Sequence, residues 1–173
     1  EDPVAGLDVL EIPEPEPAEG WEVVEVRAAA LNHHDVWSLR GVGVTEESLP
    51  VVLGTDAAGV TADGREVVVH AVLGGNRPGE DETTATDFHV FSERGVQGTL
   101  AQRLAVPSRN LVAKPAALSF AEAACLPTAY LTAYRMLFTR AGLQPGQSVL
   151  VQGAGGGVST AAILLGQAAG LVV

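Results

Sequence analysis

A small β-barrel or sandwich leading into the opening of a parallel α/β unit is the fold class that the sequence predicts. Three observations predict it. Short runs rich in valine and alanine recur between turn residues from position 21 to 113, the spacing of a small all-β unit. Residues 148–173 read SVLVQGAGGGVSTAAILLGQAAGLVV, which is strand, glycine turn, helix and strand in succession. Between the two, Lys114 and Pro115 mark a boundary that divides the chain into residues 1–114 and 115–173.

The elements follow in order. Residues 1–19 are acidic and proline-rich (IPEPEPAEG), which suits an exposed connector. Residues 21–27 (WEVVEVR) read as a strand. A short helix is expected over 32–40, with Asn32 as N-cap, Asp35 three residues on, and Gly41 as its stop. A glycine-bracketed strand covers 54–60, and the turn at Asp63 and Gly64 leads into a strand over 65–72. Residues 74–98 are polar and punctuated by glycine, and are read as a surface excursion. Strands resume at 100–106 and 110–113.

The SFAE sequence at 119–122 is a capping-box pattern opening a helix that Leu126 and Pro127 interrupt. The next helix is expected over 128–141, stopped by Gly142, and the turn at Pro145 and Gly146 delivers a buried strand at 148–152. A helix almost free of charge spans 158–169, Gly170 ends it, and 171–173 restart a strand.

Bulk properties narrow the function. With 173 residues, 47% hydrophobic, the chain can form one sizeable core or two small ones. A net charge of −11 argues against a nucleic-acid-binding face. One cysteine, Cys125, lies in an apolar helical run and is read as inert core; it excludes an intrachain disulfide and a cysteine metal cluster. That usage fits a reducing, cytoplasmic compartment. The apolar run at 161–165 is too short and glycine-bounded to cross a bilayer. The sequence opens without methionine and closes three residues into an apolar strand, so it is expected to be a segment of a longer polypeptide.

The glycine turn carries the first chemical signal. The strict G-x-G-x-x-G spacing is not met. Counting from Gly153 puts Val158 in the last place, and counting from Ala154 gives Ala154, Gly156 and Ser159. The flanking strand and helix nevertheless supply the context of a dinucleotide site. Glycines let the backbone approach a pyrophosphate, and a helix N-terminus offers free N–H groups and the positive end of a dipole. Gly153, Ala154, Gly155, Gly156, Gly157, Val158 and Ser159 are therefore candidates for nucleotide binding.

Four stretches, RAAALNHHDVWSLRG at 27–41, LPVVLGTDAAGV at 49–60, GTLAQRLAVPSRNLVAKPAALSFAEAACLPTAYLTAYRML at 98–137 and LQPGQSVLVQGAGGGVSTAAILLGQAAG at 143–170, carry a resemblance. The chain resembles the medium-chain dehydrogenase/reductase superfamily, in its zinc-independent quinone-oxidoreductase-like branch. The resemblance implies an α/β plus β architecture. A GroES-like β-barrel catalytic domain, residues 1–114 without its N-terminal strand, is followed by the first part of a Rossmann nucleotide-binding domain, residues 115–173. It implies NADPH, or NADH, in a cleft between them, a small-molecule quinone or enone as substrate, and no nucleic-acid or membrane partner. A homodimer or homotetramer is the assembly it implies. The acidic residue that reads the ribose is expected about 20 positions beyond the glycine turn, at or past Val173, so the choice of nucleotide is not legible here.

Zinc-dependent members of that superfamily hold a catalytic metal with a cysteine, a histidine and a later cysteine. The matching positions here are Asn32, Thr55 and Thr128, and neutral amides and hydroxyls are poor zinc ligands. No metal is expected. Adjacent histidines such as His33 and His34 diverge by about 100° on a helix and do not converge on one ion as an i,i+4 pair does.

Without a metal, hydride can still reach a carbon conjugated to a carbonyl if hydrogen-bond donors polarise that carbonyl. Asn32, His34 and Asp56 are the catalytic candidates. Asn32 either faces the nicotinamide or simply caps its helix, and the two roles are compatible. His34 takes the place of a proton-relaying hydroxyl or is a solvated surface histidine. Asp56 either organises donors or is a buried structural carboxylate, and Asp35 orients local backbone or a histidine.

For the cofactor, the resemblance assigns His33 to the pyrophosphate and Thr132, in LTAY, to the nicotinamide. Thr128 lies one turn earlier on the same face; the alternative is that both threonines bond back to their helix. Trp37 and Tyr130 line a cleft or sit in a core. Ser159 replaces a glycine of the family, and its hydroxyl can bond phosphate, cap the helix or weaken binding. A zinc-type relative with an atypical site, or a non-catalytic nucleotide-binding scaffold, remain the other readings.

Overall fold

The structure, a computed structural model, describes residues 2–75 and 81–173. The chain divides into two compact units, Glu1–Ala124 and Cys125–Val173. The first is built on five strands: β1 (Trp21–Ala30), β2 (Asp56–Thr61), β3 (Glu66–Val69), β6 (Arg103–Pro107) and β7 (Leu111–Ala113). They form one antiparallel sheet in the order β6-β1-β2-β3-β7. A two-stranded pair, β4 (Val72–Leu73) with β5 (His89–Val90), stands beside it.

Side-chain alternation gives the sheet two buried faces. Val24, Ala57, Val67, Val69, Leu104 and Val106 join Leu73 and Phe91 in one core. Ala58 and Val68 face the other way, against Ala123 and Ala124 of helix α2 (Phe120–Ala124). The register sets this directly, because Ala57 pairs with Val69 and Ala58 with Val68. Covering both faces is what makes so short a set of strands stable: neither apolar side is left to water.

Two expectations change here. The strand expected over 65–72 breaks after Val69. His70 N–H donates to the Asn110 carbonyl at 2.8 Å, and Asn110 Nδ2 ties the His70 and Val72 carbonyls at 2.8 and 2.7 Å. That clamp bends the chain out of the sheet, so Val72 and Leu73 pair with Val90 and His89 instead. The surface excursion at 74–98 is corrected too: Phe91 is fully buried, as is Ser92, and Ala85 is buried as well. Residues 76–80 of that excursion lie outside the described residues. The N-terminal connector is largely exposed, with one 3₁₀ turn at Pro3–Gly6 and a Glu14–Arg103 ion pair.

The second unit contains α3 (Leu131–Tyr134) and α4 (Gly157–Ala168). The helix opened by Ser119 ends at Ala124 and the chain turns at Cys125, so it breaks where Leu126 and Pro127 are expected to interrupt it. A π turn runs over Leu126–Tyr130 with Pro127 in its first turn, where its missing N–H costs no internal bond. A second π turn, Arg135–Arg140, follows α3. Helix α4 ends in a Schellman motif at Gly170, φ +75°: Gly170 N–H donates to the Gln167 carbonyl and Leu171 N–H to that of Gly166.

The buried strand expected at 148–152 is reduced to one parallel bridge, Ser148 to Val172, and Leu150 is 85% exposed. A parallel strand draws its burial from covered faces and flanking strands, and among the described residues the ladder of this one is limited to its bridge with Val172. Cys125 is exposed, not core, because α2 turns Ala123 and Ala124 inward and the next residue faces away. Among the described residues, no helix is long and apolar enough to cross a membrane.

The capping box of α2 forms as its sequence predicts. Ser119 N–H and Oγ donate to Glu122 Oε2 at 2.8 and 2.7 Å, and Glu122 N–H returns to Ser119 Oγ at 3.2 Å. The Ser119 hydroxyl, then its N–H, hold the Glu122 carboxyl below its usual range. A carboxyl depressed in the folded state contributes stability above its unfolded pKa and loses it as pH falls through the folded value. Glu122→Ala should therefore lower the urea midpoint at neutral pH. The difference from the parent should shrink below pH 4.5 and vanish in stronger acid, as circular dichroism across a pH series will show.

Candidate functional site

In the first unit the polar site is organised by a backbone ladder outside the named strands. Gly98 and Leu100 N–H donate to the Val52 and Leu53 carbonyls, both at 2.8 Å, and Thr99 N–H donates to that of Gly54 at 3.0 Å. Gly98 is required there, since a Cβ would lie 2.4 Å from the Leu53 carbonyl atoms. The ladder fixes the entry to β2, and Thr99 Oγ1 secures the Asp56 carbonyl at 3.1 Å. Thr55 and Asp56 are thereby buried at 2% and 1% exposure.

Ala30, the last residue of β1, pairs with Asp56, so the chain leaving β1 carries Asn32 to Thr55. Asn32 Nδ2 donates to Thr55 Oγ1 at 3.0 Å, and Thr55 Oγ1 to Asp56 Oδ1 at 3.3 Å. Asn32 also opens helix α1 (His33–Leu39), where its N–H donates to Asp35 Oδ2 at 2.7 Å. Asp35 thus caps the helix end while the Asn32 amide reaches across to β2. Asp35 is itself buried, and its Oδ1 has no hydrogen-bond partner among the described residues. The structure brings two of the three catalytic candidates, Asn32 and Asp56, into one network with Asp35 and Thr55.

His34 belongs to a neighbouring cluster. Its Nε2 meets Glu93 Oε1 at 2.9 Å and its Nδ1 meets Ser38 Oγ at 3.5 Å. With its side chain 25% exposed and both ring nitrogens facing partners, it is not a solvated surface histidine. His33 is exposed. Trp37 is 48% exposed with the Arg40 guanidinium 5.4 Å over its ring, which removes it from the core; Tyr130 is half-buried. Sequence reading missed Glu93, Ser38 and Thr99. A single glutamate 59 residues from its histidine leaves no spacing signal, and the apparent loop character of 74–98 concealed it.

In the second unit the glycine turn is open. Gly153 takes φ +70°, Gly156 N–H donates to its carbonyl at 3.3 Å, and residues 153–157 are exposed. A Cβ on Gly155 would meet nothing within 4 Å. Gly157 lies 3.5 Å, measured from such a Cβ, from the Ala129 side chain, so the turn sits against the π turn that carries Thr128. Thr128 is half-buried and Thr132 exposed. Ser159 Oγ donates to the Gln152 carbonyl and Thr160 Oγ1 to that of Ala154, each at 3.4 Å. The serine hydroxyl therefore ties the helix to the strand end.

These residues fit a nucleotide pyrophosphate: the backbone is exposed, no side chain fills the space at Gly155, and the first N–H groups of α4 have no intrahelical acceptors. They do not fit zinc. The amide and hydroxyl at Asn32 and Thr55 are weak zinc donors and are bonded to each other. Among the described residues, no three histidine, cysteine or carboxylate side chains converge on a metal position.

An antiparallel β unit followed by a glycine-turn α/β unit defines the class of medium-chain dehydrogenases and reductases. Residues 18–116 match the family model of the alcohol dehydrogenase GroES-like domain, and the chain belongs to this superfamily. It is 37% identical over 166 residues to 2-methylene-furan-3-one reductase of Solanum lycopersicum, across 92% of this chain and 41% of that protein. It is similar to the solved structure of an NAD-dependent alcohol dehydrogenase, with 38% identity and a TM-score of 0.87, across 94% of this chain and 51% of that one. It is also similar to the quinone oxidoreductase of Thermus thermophilus, solved also with NADPH. There the identity is 34% and the TM-score 0.73, across 97% of this chain and 48% of that one. The chain thus spans about half the length of these structures and less of the curated relative.

Proposed function

We propose that the protein bearing this chain is an NAD(P)H-dependent oxidoreductase that passes hydride to a quinone or an α,β-unsaturated carbonyl without a metal ion. The observation that carries this reading is the 3.0 Å bond from Asn32 Nδ2 to Thr55 Oγ1. It joins the two positions where zinc-type relatives place ligands and turns them into a hydrogen-bonding pair. The names of a furanone reductase and a quinone oxidoreductase among similar proteins support the substrate class. NADPH is the nucleotide of this reading, with NADH as the alternative, and a homodimer or homotetramer in the cytoplasm is its assembly.

A bound dihydronicotinamide would supply the hydride. The residues of the chain do the rest. Residues 153–159 would hold the pyrophosphate through backbone N–H groups. Thr128 and Thr132 would offer hydroxyls to the nicotinamide. An asparagine amide has two N–H donors; one of Asn32's is given to Thr55, and the second polarises the substrate carbonyl. Thr55 and Asp56 keep the amide in that orientation, and His34 delivers the proton that completes the reduction.

The test uses the complete polypeptide with NADPH and a quinone panel. Turnover should survive exhaustive chelation. Asn32→Ala should lower kcat by about a hundredfold, the loss typical of one oxyanion-type donor, with NADPH affinity unchanged. Activity lost in chelator and restored by zinc would overturn the metal-free mechanism. Failure to bind either nucleotide would overturn the function.

A further inference from the structure

Glu93 is held in place by more of the fold than a surface glutamate requires. Its Oε1 lies 2.9 Å from His34 Nε2, and its Oε2 accepts the Val90 N–H at 3.1 Å. Its neighbours Ser92 and Arg94 both take positive φ, 68° and 50°, a region non-glycine residues enter at a cost. Gly43, φ +77°, gives it room: a Cβ there would stand 2.9 Å from Glu93 Oε1 and 3.1 Å from its Cγ. The side chain is largely buried, 21% exposed, as is that of His34 at 25%. Two strained residues and one glycine are arranged so that a single carboxylate oxygen meets a single ring nitrogen.

We propose that Glu93 is a positioning residue for His34. A carboxylate only accepts, so the ring nitrogen facing it, Nε2, carries the hydrogen. Nδ1 is then the acceptor in the neutral ring and faces the Ser38 hydroxyl at 3.5 Å, so the proton that His34 passes on is one that Nδ1 has first taken up. Glu93 thereby fixes both the ring plane and the tautomer, as an outer carboxylate does for a working histidine. Ser38, buried at 5% exposure, holds the opposite edge. The role rests on the reading of His34 as proton donor.

The experiment is ¹⁵N-histidine NMR of the complete polypeptide at neutral pH, with kinetics on the same samples. The parent and Glu93→Gln, whose amide oxygen still accepts, should show a slowly exchanging His34 Nε2–H proton. Glu93→Ala should lose it. In turnover, Glu93→Ala should lower kcat about tenfold with the KM for NADPH unchanged, and should cost nothing further in a His34→Ala background. A protected Nε2–H that persists in Glu93→Ala overturns the proposal, as does an equal loss in the His34→Ala background. Absence of turnover in the parent would instead sink the reductase reading, and the NMR result would still decide whether Glu93 positions His34.

Discussion

Phe91→Ala is expected to cost the first unit about 3–5 kcal/mol of stability, the range for emptying an aromatic site in a core. Phe91 is fully buried among Val24, Val67, Val69, Leu73, Leu104 and Val106. Those neighbours come from β1, β3, β4 and β6, and strands held by a ladder cannot collapse inward to fill the space. The cavity would therefore remain largely open, which places the cost toward the top of the range. Typical domains have only about 5–15 kcal/mol in total, so the variant should unfold at a far lower urea concentration. Denaturation followed by far-ultraviolet circular dichroism gives the answer. A change under about 1 kcal/mol would mean that the 85–93 segment is a surface loop after all.

Gly155→Asp is expected to leave the fold intact and abolish tight nucleotide binding. A Cβ at this position meets nothing within 4 Å, and its φ lies outside the left-handed region. The substitution therefore carries no steric or backbone penalty, and the unfolding midpoint should match that of the parent. If the turn holds a pyrophosphate, the new carboxylate stands against two phosphate charges. Like charges forced together cost several kcal/mol. A loss of at least about a hundredfold in NADPH affinity follows, about 2.7 kcal/mol, read by nucleotide fluorescence on the complete polypeptide. Gly155→Ala separates charge from bulk, since it adds only a methyl group. Affinity unchanged in Gly155→Asp would show that the phosphates lie elsewhere, whatever the glycines suggest.

The polar site was partly legible in sequence. Asn32 announced itself as an N-cap with an acidic residue at the third helical position, and α1 formed there with Asp35 accepting the Asn32 N–H. The direction of the Asn32 side chain was not legible. It is decided by Thr55, 23 residues away, brought alongside because Ala30 pairs with Asp56. His34 shows the same limit, for its partner Glu93 is 59 residues distant. Ser159 stood out as a departure from the glycine pattern, but only the structure shows its hydroxyl turned back to the Gln152 carbonyl.

Local signals determined local outcomes. The Ser119–Glu122 box, the stop at Gly170 and the α4 helix follow from residues within a turn or two of one another, because capping and handedness act at that range. The sequence alone also settled the class of fold, through the alternation of short strands and the strand–glycine turn–helix order. Tertiary structure decided what depends on distant partners. It decided that Asn110 would break the strand at His70, that Phe91 would turn a polar loop into a core wall, and that 148–152 would keep only one bridge. Burial and hydrogen-bond partners across tens of residues are set by the packing of whole elements, and no window of neighbouring residues contains that information.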